Sequence, residues 1–267
     1  MNLIKAISAD GTEIYGQVLG NGPPLVFLPP GPANSEKGWQ YLVPYLEDRF
    51  TCYLVNTRGR GLSKDHPDHT SNRLIEDVIA FIEAIDEFVS LVEWGSGLWA
   101  YLAATAYPAI QSIVVYEPGV DKVMPEKNRK KLNAIFASVW DLTTEKKFLQ
   151  AAEFFVENSD LIYKKDEIAS GYPSELWITA AKNLPIFLAE QQHMSEVDNP
   201  DLLSKIKIPV LLLQGTESKE WFKDSVKYLV GHLLSPVIYP IEFAAHFGPY
   251  THPEIIALAI KNYFSTK

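Results

Sequence analysis

The sequence predicts an α/β protein: a mostly parallel central sheet, helices on both faces, and a helical insertion over the sheet's carboxyl edge. Short apolar runs alternate with helix-period segments along most of the chain, the pattern of parallel strands joined by crossover helices. Residues 119–201 interrupt that rhythm with helical patterns alone. The 267 residues are 47% hydrophobic and 21% charged, enough to bury one large core without staples.

Taken in order, the N-terminal MNLIKAISADGTEIYG alternates as a strand does and turns at Asp10-Gly11. Leu25–Leu28 is a buried strand that breaks at Pro29-Pro30-Gly31-Pro32, and Thr51–Asn56 is a second, ended by Thr57-Arg58-Gly59-Arg60-Gly61. From Ser71 to Asp86, Leu74, Ile75, Val78, Ile79, Ile82 and Ile85 share one helical face. A strand over Phe88–Val92 enters a Gly-rich turn and the apolar helix Leu98–Tyr107. Three more strands follow at Ile113–Tyr116, Val210–Leu213 and Val237–Tyr239, and Ile255–Tyr263 is the last helix. The insertion carries helices over 126–139, 144–157 and 174–192. The expected organisation is therefore a core of residues 1–118 and 202–267 with a helical lid over 119–201. A lid there covers the edge at which clefts of α/β sheets open.

Charge and cysteine content exclude several functions. With 24 Lys+Arg against 33 Asp+Glu the net charge is −9, which opposes phosphate backbones and anionic membrane surfaces. Cys52 is the only cysteine, so a disulfide framework and a cysteine-based zinc site are excluded, and its apolar strand makes it an expected core thiol. No His/Asp cluster has metal spacing, and Gly59-Arg60-Gly61 lacks the context of a dinucleotide site. No basic leader precedes an apolar run, and no stretch reaches a membrane span. The expectation is a cytoplasmic protein, monomer or homodimer, with no cofactor, no nucleic-acid or membrane partner, and a small hydrophobic ligand.

Five markers appear in order: Leu28-Pro29-Pro30-Gly31-Pro32, Asn56-Thr57-Arg58-Gly59-Arg60-Gly61-Leu62-Ser63, Glu93-Trp94-Gly95-Ser96-Gly97, Tyr116-Glu117-Pro118 and Ala245-His246-Phe247. Together they resemble the α/β-hydrolase superfamily over nearly the whole chain outside the lid; Asn56 stands where the D-x-R-G-x-G-x-S turn has Asp. The resemblance implies a nucleophile on a strained strand-to-helix elbow, a histidine base and an orienting carboxylate. His246, in the loop before the last helix, is the expected base. Glu117 stands where haloalkane dehalogenases and zearalenone-type lactone hydrolases carry their acid, while Glu217 occupies the alternative position after Val210–Leu213.

The nucleophile has three readings. Ser96 would place Trp94 and Leu98 at the crowded positions two residues before and after it. Gly95 at the elbow aligns the strand well but supplies no nucleophile. Glu93 puts Gly95 two residues after it and lies 24 positions before Glu117, about the separation in both named families. Glu-Trp-Gly-Ser also resembles the dehalogenases' Asp-Trp-Gly-Ser, where the carboxylate attacks carbon and the ester is then hydrolysed. Glu93 and Ser96 are therefore the candidate nucleophiles.

Backbone N–H groups of Gly31 and Trp94 are the candidate oxyanion donors, with Asn34 and Trp39 as possible side-chain donors. The tail His246-Phe247-Gly248-Pro249-Tyr250 resembles the lactone hydrolases, in which a lid tryptophan packs on substrate; Trp177 falls in a comparable lid helix. The expected function is a cofactor-independent hydrolase of a small hydrophobic ester, lactone, epoxide or halide. The alternative is a catalytically inactive small-molecule binding protein on the same fold.

Overall fold

The computed structural model describes residues 2–95, 99–159, 174–191 and 199–265. Eight strands form one sheet: β1 (Asn2–Ile7), β2 (Glu13–Gly20), β3 (Pro24–Phe27), β4 (Thr51–Asn56), β5 (Val89–Trp94), β6 (Ile110–Tyr116), β7 (Val210–Gly215) and β8 (Pro236–Ile241). Their spatial order is β1-β2-β4-β3-β5-β6-β7-β8. β1/β2 and β2/β4 pair antiparallel, and all later pairs are parallel. The N-terminal alternation thus resolves into a hairpin around Asp10-Gly11, with Gly11 at φ +88.

The sheet separates two apolar layers. On one face Val89 and Leu91 of β5 pack with Val78 and Phe81 of the helix Ser71–Ile85 and with Tyr101 of the helix Trp99–Ala106. On the other, Val92 and Trp94 join Trp39, Phe247 and the helix Pro253–Ser265. The inserted helices Glu126–Thr144, Phe148–Asn158 and Ser174–Gln191 build a third cluster around Ile135, Phe155 and Leu184, which Phe222 also joins. One element escaped the sequence reading. The helix Glu220–His232 buries Phe222, Val226 and Leu229 at helical spacing.

A buried arginine ties the amino-terminal hairpin to the core. Arg58 is fully buried, forms ion pairs with Asp77 at 2.7 Å and Asp10 at 2.8 Å, and caps the carbonyl of Asp68 at 2.9 Å. Neighbouring β3 and β5 are linked onward in opposite directions across the sheet, so a crevice opens beyond their carboxyl ends. The loop after β3, the turn after β5 and the loop after β8 all meet there.

Candidate active site

The turn after β5 decides the site. β5 runs two residues beyond its expected end, so Glu93 and Trp94 lie within the strand and pair with Val115 and Tyr116 of β6. Gly95 follows at φ +88; its N–H donates to the Tyr116 carbonyl at 3.0 Å, and its own carbonyl accepts from Gly119 at 3.0 Å. A Cβ built on Gly95 would lie 3.7 Å from His246 Nε2 and 3.6 Å from its Cε1, in open van der Waals contact. Gly95, rather than Glu93, therefore occupies the left-handed corner that faces the histidine.

Side-chain parity accounts for the position of Glu93. Successive side chains of a strand point to opposite faces. Glu93 shares parity with Val89 and Leu91 and is buried on their face, where its charge together with burial pushes the Tyr101 phenol upward, burial contributing more. Glu93 is not among the described residues lining the crevice, which corrects its expected place as nucleophile. Ser96 lies outside the described residues. Trp94 has the opposite parity and reaches the cavity wall, where its indole Nε1 donates to the His246 carbonyl at 2.8 Å. With the corner at Gly95, the residue after the elbow is Ser96, so Trp94 is not the post-elbow backbone donor the sequence reading assigned.

His246 and Glu117 meet. Glu117 follows β6 at φ +51 and is fully buried. Its Oε1 accepts from Gly215 N–H at 2.8 Å and from the Ser218 hydroxyl, and its Oε2 faces His246 Nδ1 at 3.8 Å, beyond hydrogen-bond reach but within ion-pair range. The alternative acid, Glu217, is exposed; its buried neighbour Ser218 instead buttresses Glu117. Ser218 was not singled out in the sequence, because a lone serine in a loop carries no motif.

The histidine loop is held from several sides. The Tyr116 hydroxyl donates to the Ala245 carbonyl at 2.5 Å, and Tyr116 packs so closely on Gly248 that a Cβ there would fall 1.9 Å from its oxygen. The imidazole lies flat on Phe222, centroids 4.2 Å apart and planes inclined by 12°. One ring face is thereby covered, while Nε2 looks toward Gly95.

The remaining predicted residues separate. Gly31, at φ +48, borders the cavity, and its carbonyl accepts from Arg60. Trp39 is buried with its Nε1 donating to Leu28 at 2.7 Å, so it offers no donor to the cavity. Asn34 accepts from Asn183 of the helix Ser174–Gln191 at 2.6 Å. Trp177 lies on the helix Ser174–Gln191, and its side chain is outside the described set.

The cavity bounded by the loop after β3, the His246 loop and the inserted helices measures about 90 Å³. That is several times the roughly 10–15 Å³ one water needs and approaches the scale that accepts a single aromatic ring. Its wall is aromatic and aliphatic, with His246 at its floor. Among the described residues no group of three or more His, Cys, Asp or Glu is arranged to hold a metal, and no helix is long and apolar enough to cross a membrane.

The chain matches the sequence profile of the α/β hydrolase fold over residues 23–224. Among solved structures it is similar to an α/β hydrolase from Sphaerobacter thermophilus, at 24% identity and TM-score 0.77, covering 98% of this chain and 100% of that one. It is also similar to a bromoperoxidase from Bacillus anthracis (18% identity, TM-score 0.77, 99% and 100% covered) and an esterase from Exiguobacterium antarcticum (16%, 0.77, 98% and 98%). A search of curated proteins found no match.

Proposed function

Because the chain belongs to the α/β hydrolase fold family, we propose that it is a cofactor-independent hydrolase of small apolar esters or lactones, in which His246 activates water directly. The observation that carries this reading is Gly95. The corner that faces the base holds no side chain, and His246 Nε2 lies 3.7 Å from where its Cβ would start. A water seated in that space is within reach of both the imidazole and a substrate carbonyl in the cavity.

In the proposed reaction His246 Nε2 takes a proton from water as its oxygen bonds to the carbonyl carbon. The carbonyl π pair moves onto oxygen, toward the backbone of Gly31. Collapse of the tetrahedral species expels the alkoxide, which recovers the proton from Nε2. Glu117 keeps Nδ1 protonated so that Nε2 is the accepting nitrogen, and it stabilises the imidazolium formed in between. No bond to the protein forms at any stage.

The second reading is binding without turnover, and the same bare corner favours it. The test is a panel of aryl esters and lactones incubated with the wild type and His246→Gln. We expect wild-type turnover, a fall of about 10²–10⁴-fold in the variant, and no acylated protein in the intact mass of either. An acyl adduct, an anhydride on Glu93 or an ester on Ser96, would overturn direct water attack and restore a covalent route. No turnover anywhere in the panel would leave the binding reading.

A further inference from the structure

We propose that the cavity takes a neutral, planar aromatic carbonyl compound whose polar end is read by the Gln191 side-chain amide, and that it excludes carboxylates. The proposal rests on the functional reading above only for setting the ligand carbonyl beside His246.

The walls are flat ring surfaces. Phe136 and Phe155 of the lid stack at 6.0 Å with planes 10° apart, and Phe222 stacks on His246 across the floor. Aromatic faces of this kind favour a ring over a flexible chain, since stacking adds to the area buried. The polar atoms these rings carry are turned outward. Trp221 Nε1 donates to Val120 at 2.8 Å, Trp94 Nε1 to His246, and the Tyr250 hydroxyl to Lys37. Among the described lining residues, that leaves Gln191 and His246 as the polar side chains presented to a ligand.

No described cation lines the cavity. The nearest candidate, Arg60, is buried behind Gly31 and fully used: Nε and Nη2 bond Glu190 of the lid, and Nη1 bonds the carbonyls of Gly31 and Ala33. An anionic ligand would lose its hydration with no permanent counter-charge among the described lining residues; His246 offers one only as an imidazolium whose partner is already Glu117, inside a chain of net charge −9. A neutral carbonyl loses far less and regains a hydrogen bond from the amide. The same ion pair anchors the lid helix at Glu190, one residue before Gln191, so the amide is carried on a fixed backbone.

The test uses acetophenone, benzoate and toluene, near-isosteric single rings, titrated against the full chain by amide NMR. We expect acetophenone to bind at least tenfold more tightly than benzoate, with shifts at Gly31, Gly95 and the Gln191 side-chain amide. Gln191→Leu should weaken acetophenone about fivefold and leave toluene unchanged, and Gln191→Lys should reverse the acetophenone–benzoate preference. Equal or tighter benzoate binding to the wild type overturns the proposal, as does the absence of shifts with any probe. An unchanged acetophenone affinity in Gln191→Leu overturns the role of the amide. Should Gln191→Lys fail to fold, the wild-type comparison and Gln191→Leu still decide. Probe binding without ester turnover removes the hydrolase reading and leaves the ligand class standing.

Discussion

Gly95→Ser should place a hydroxyl at the corner that faces His246 and let the chain form an acyl-enzyme there. Among the described residues other than its chain neighbours, the added Cβ meets nothing closer than His246 Cε1 at 3.6 Å and Nε2 at 3.7 Å, which is ordinary van der Waals contact. The hydroxyl, one bond further on, falls within hydrogen-bond reach of Nε2. The cost is conformational: a non-glycine residue at φ +88 gives up about 1–2 kcal/mol. For a chain of this size that lowers the melting temperature by about 2–8 °C, which leaves a folded protein for assay. Rapid quench with a chromogenic aryl ester, read by intact mass and peptide mapping, should show a burst of released phenol and an acyl group on residue 95. Adding His246→Gln should abolish the burst. A folded Gly95→Ser protein with neither burst nor adduct would refute the assignment of Gly95 as the corner facing the base. An identical burst from the wild type would refute it from the other side, because the unsubstituted chain would then own a nucleophile elsewhere.

The remaining predictions concern the acid and the buried arginine. Glu117→Gln should retain the bonds from Gly215 and Ser218 through its carbonyl oxygen, which turns the amide NH₂ toward His246 Nδ1. That forces Nδ1 to accept and places the proton on Nε2, so ester turnover should fall by about 10²–10⁴-fold with little change in KM. Asp77→Ala leaves Arg58 buried with half its counter-charge, and should cost about 3–5 kcal/mol in urea unfolding. Burial raises the Asp10 carboxyl, but the bonds from Thr12 and the ion pair with Arg58 outweigh it and hold the group well below its ordinary value of 3.8. Its contribution to stability is therefore complete above that ordinary value and is lost as pH falls through the folded one. The urea midpoint of the wild type should exceed that of Asp10→Asn at about pH 5, with the gap closing toward about pH 2; a gap that widens on acidification would contradict the sign.

The fold was legible in the sequence because strands and crossover helices obey local periods, and the loops that carry His246 and Glu117 were legible because each follows a strand. The helix Glu220–His232 had the same kind of signal, with Phe222, Val226 and Leu229 on one face. Arg60 and Glu190 had none: 130 positions separate them, and only the folded chain brings the helix Ser174–Gln191 against the turn after β4. The elbow is the instructive case. Glu-Trp-Gly-Ser-Gly fits three registers, because spacing alone does not say where a strand stops. β5 stops where its ladder with β6 stops, with Trp94 opposite Tyr116 and the Gly95 N–H on the Tyr116 carbonyl, and that partner lies 21 residues away. One local clue pointed the same way. Val89, Leu91 and Glu93 share a face, and Val89 and Leu91 are core residues, so period two alone carries Glu93 under the helix Trp99–Ala106 unless the strand breaks first. A carboxylate on that face is one residue too early to reach the crevice and two too early to reach the corner. The motif resembling a carboxylate nucleophile is thus shifted by two residues relative to the turn that would use it, and the position left at the turn is the one residue type that tolerates it without offering any chemistry of its own.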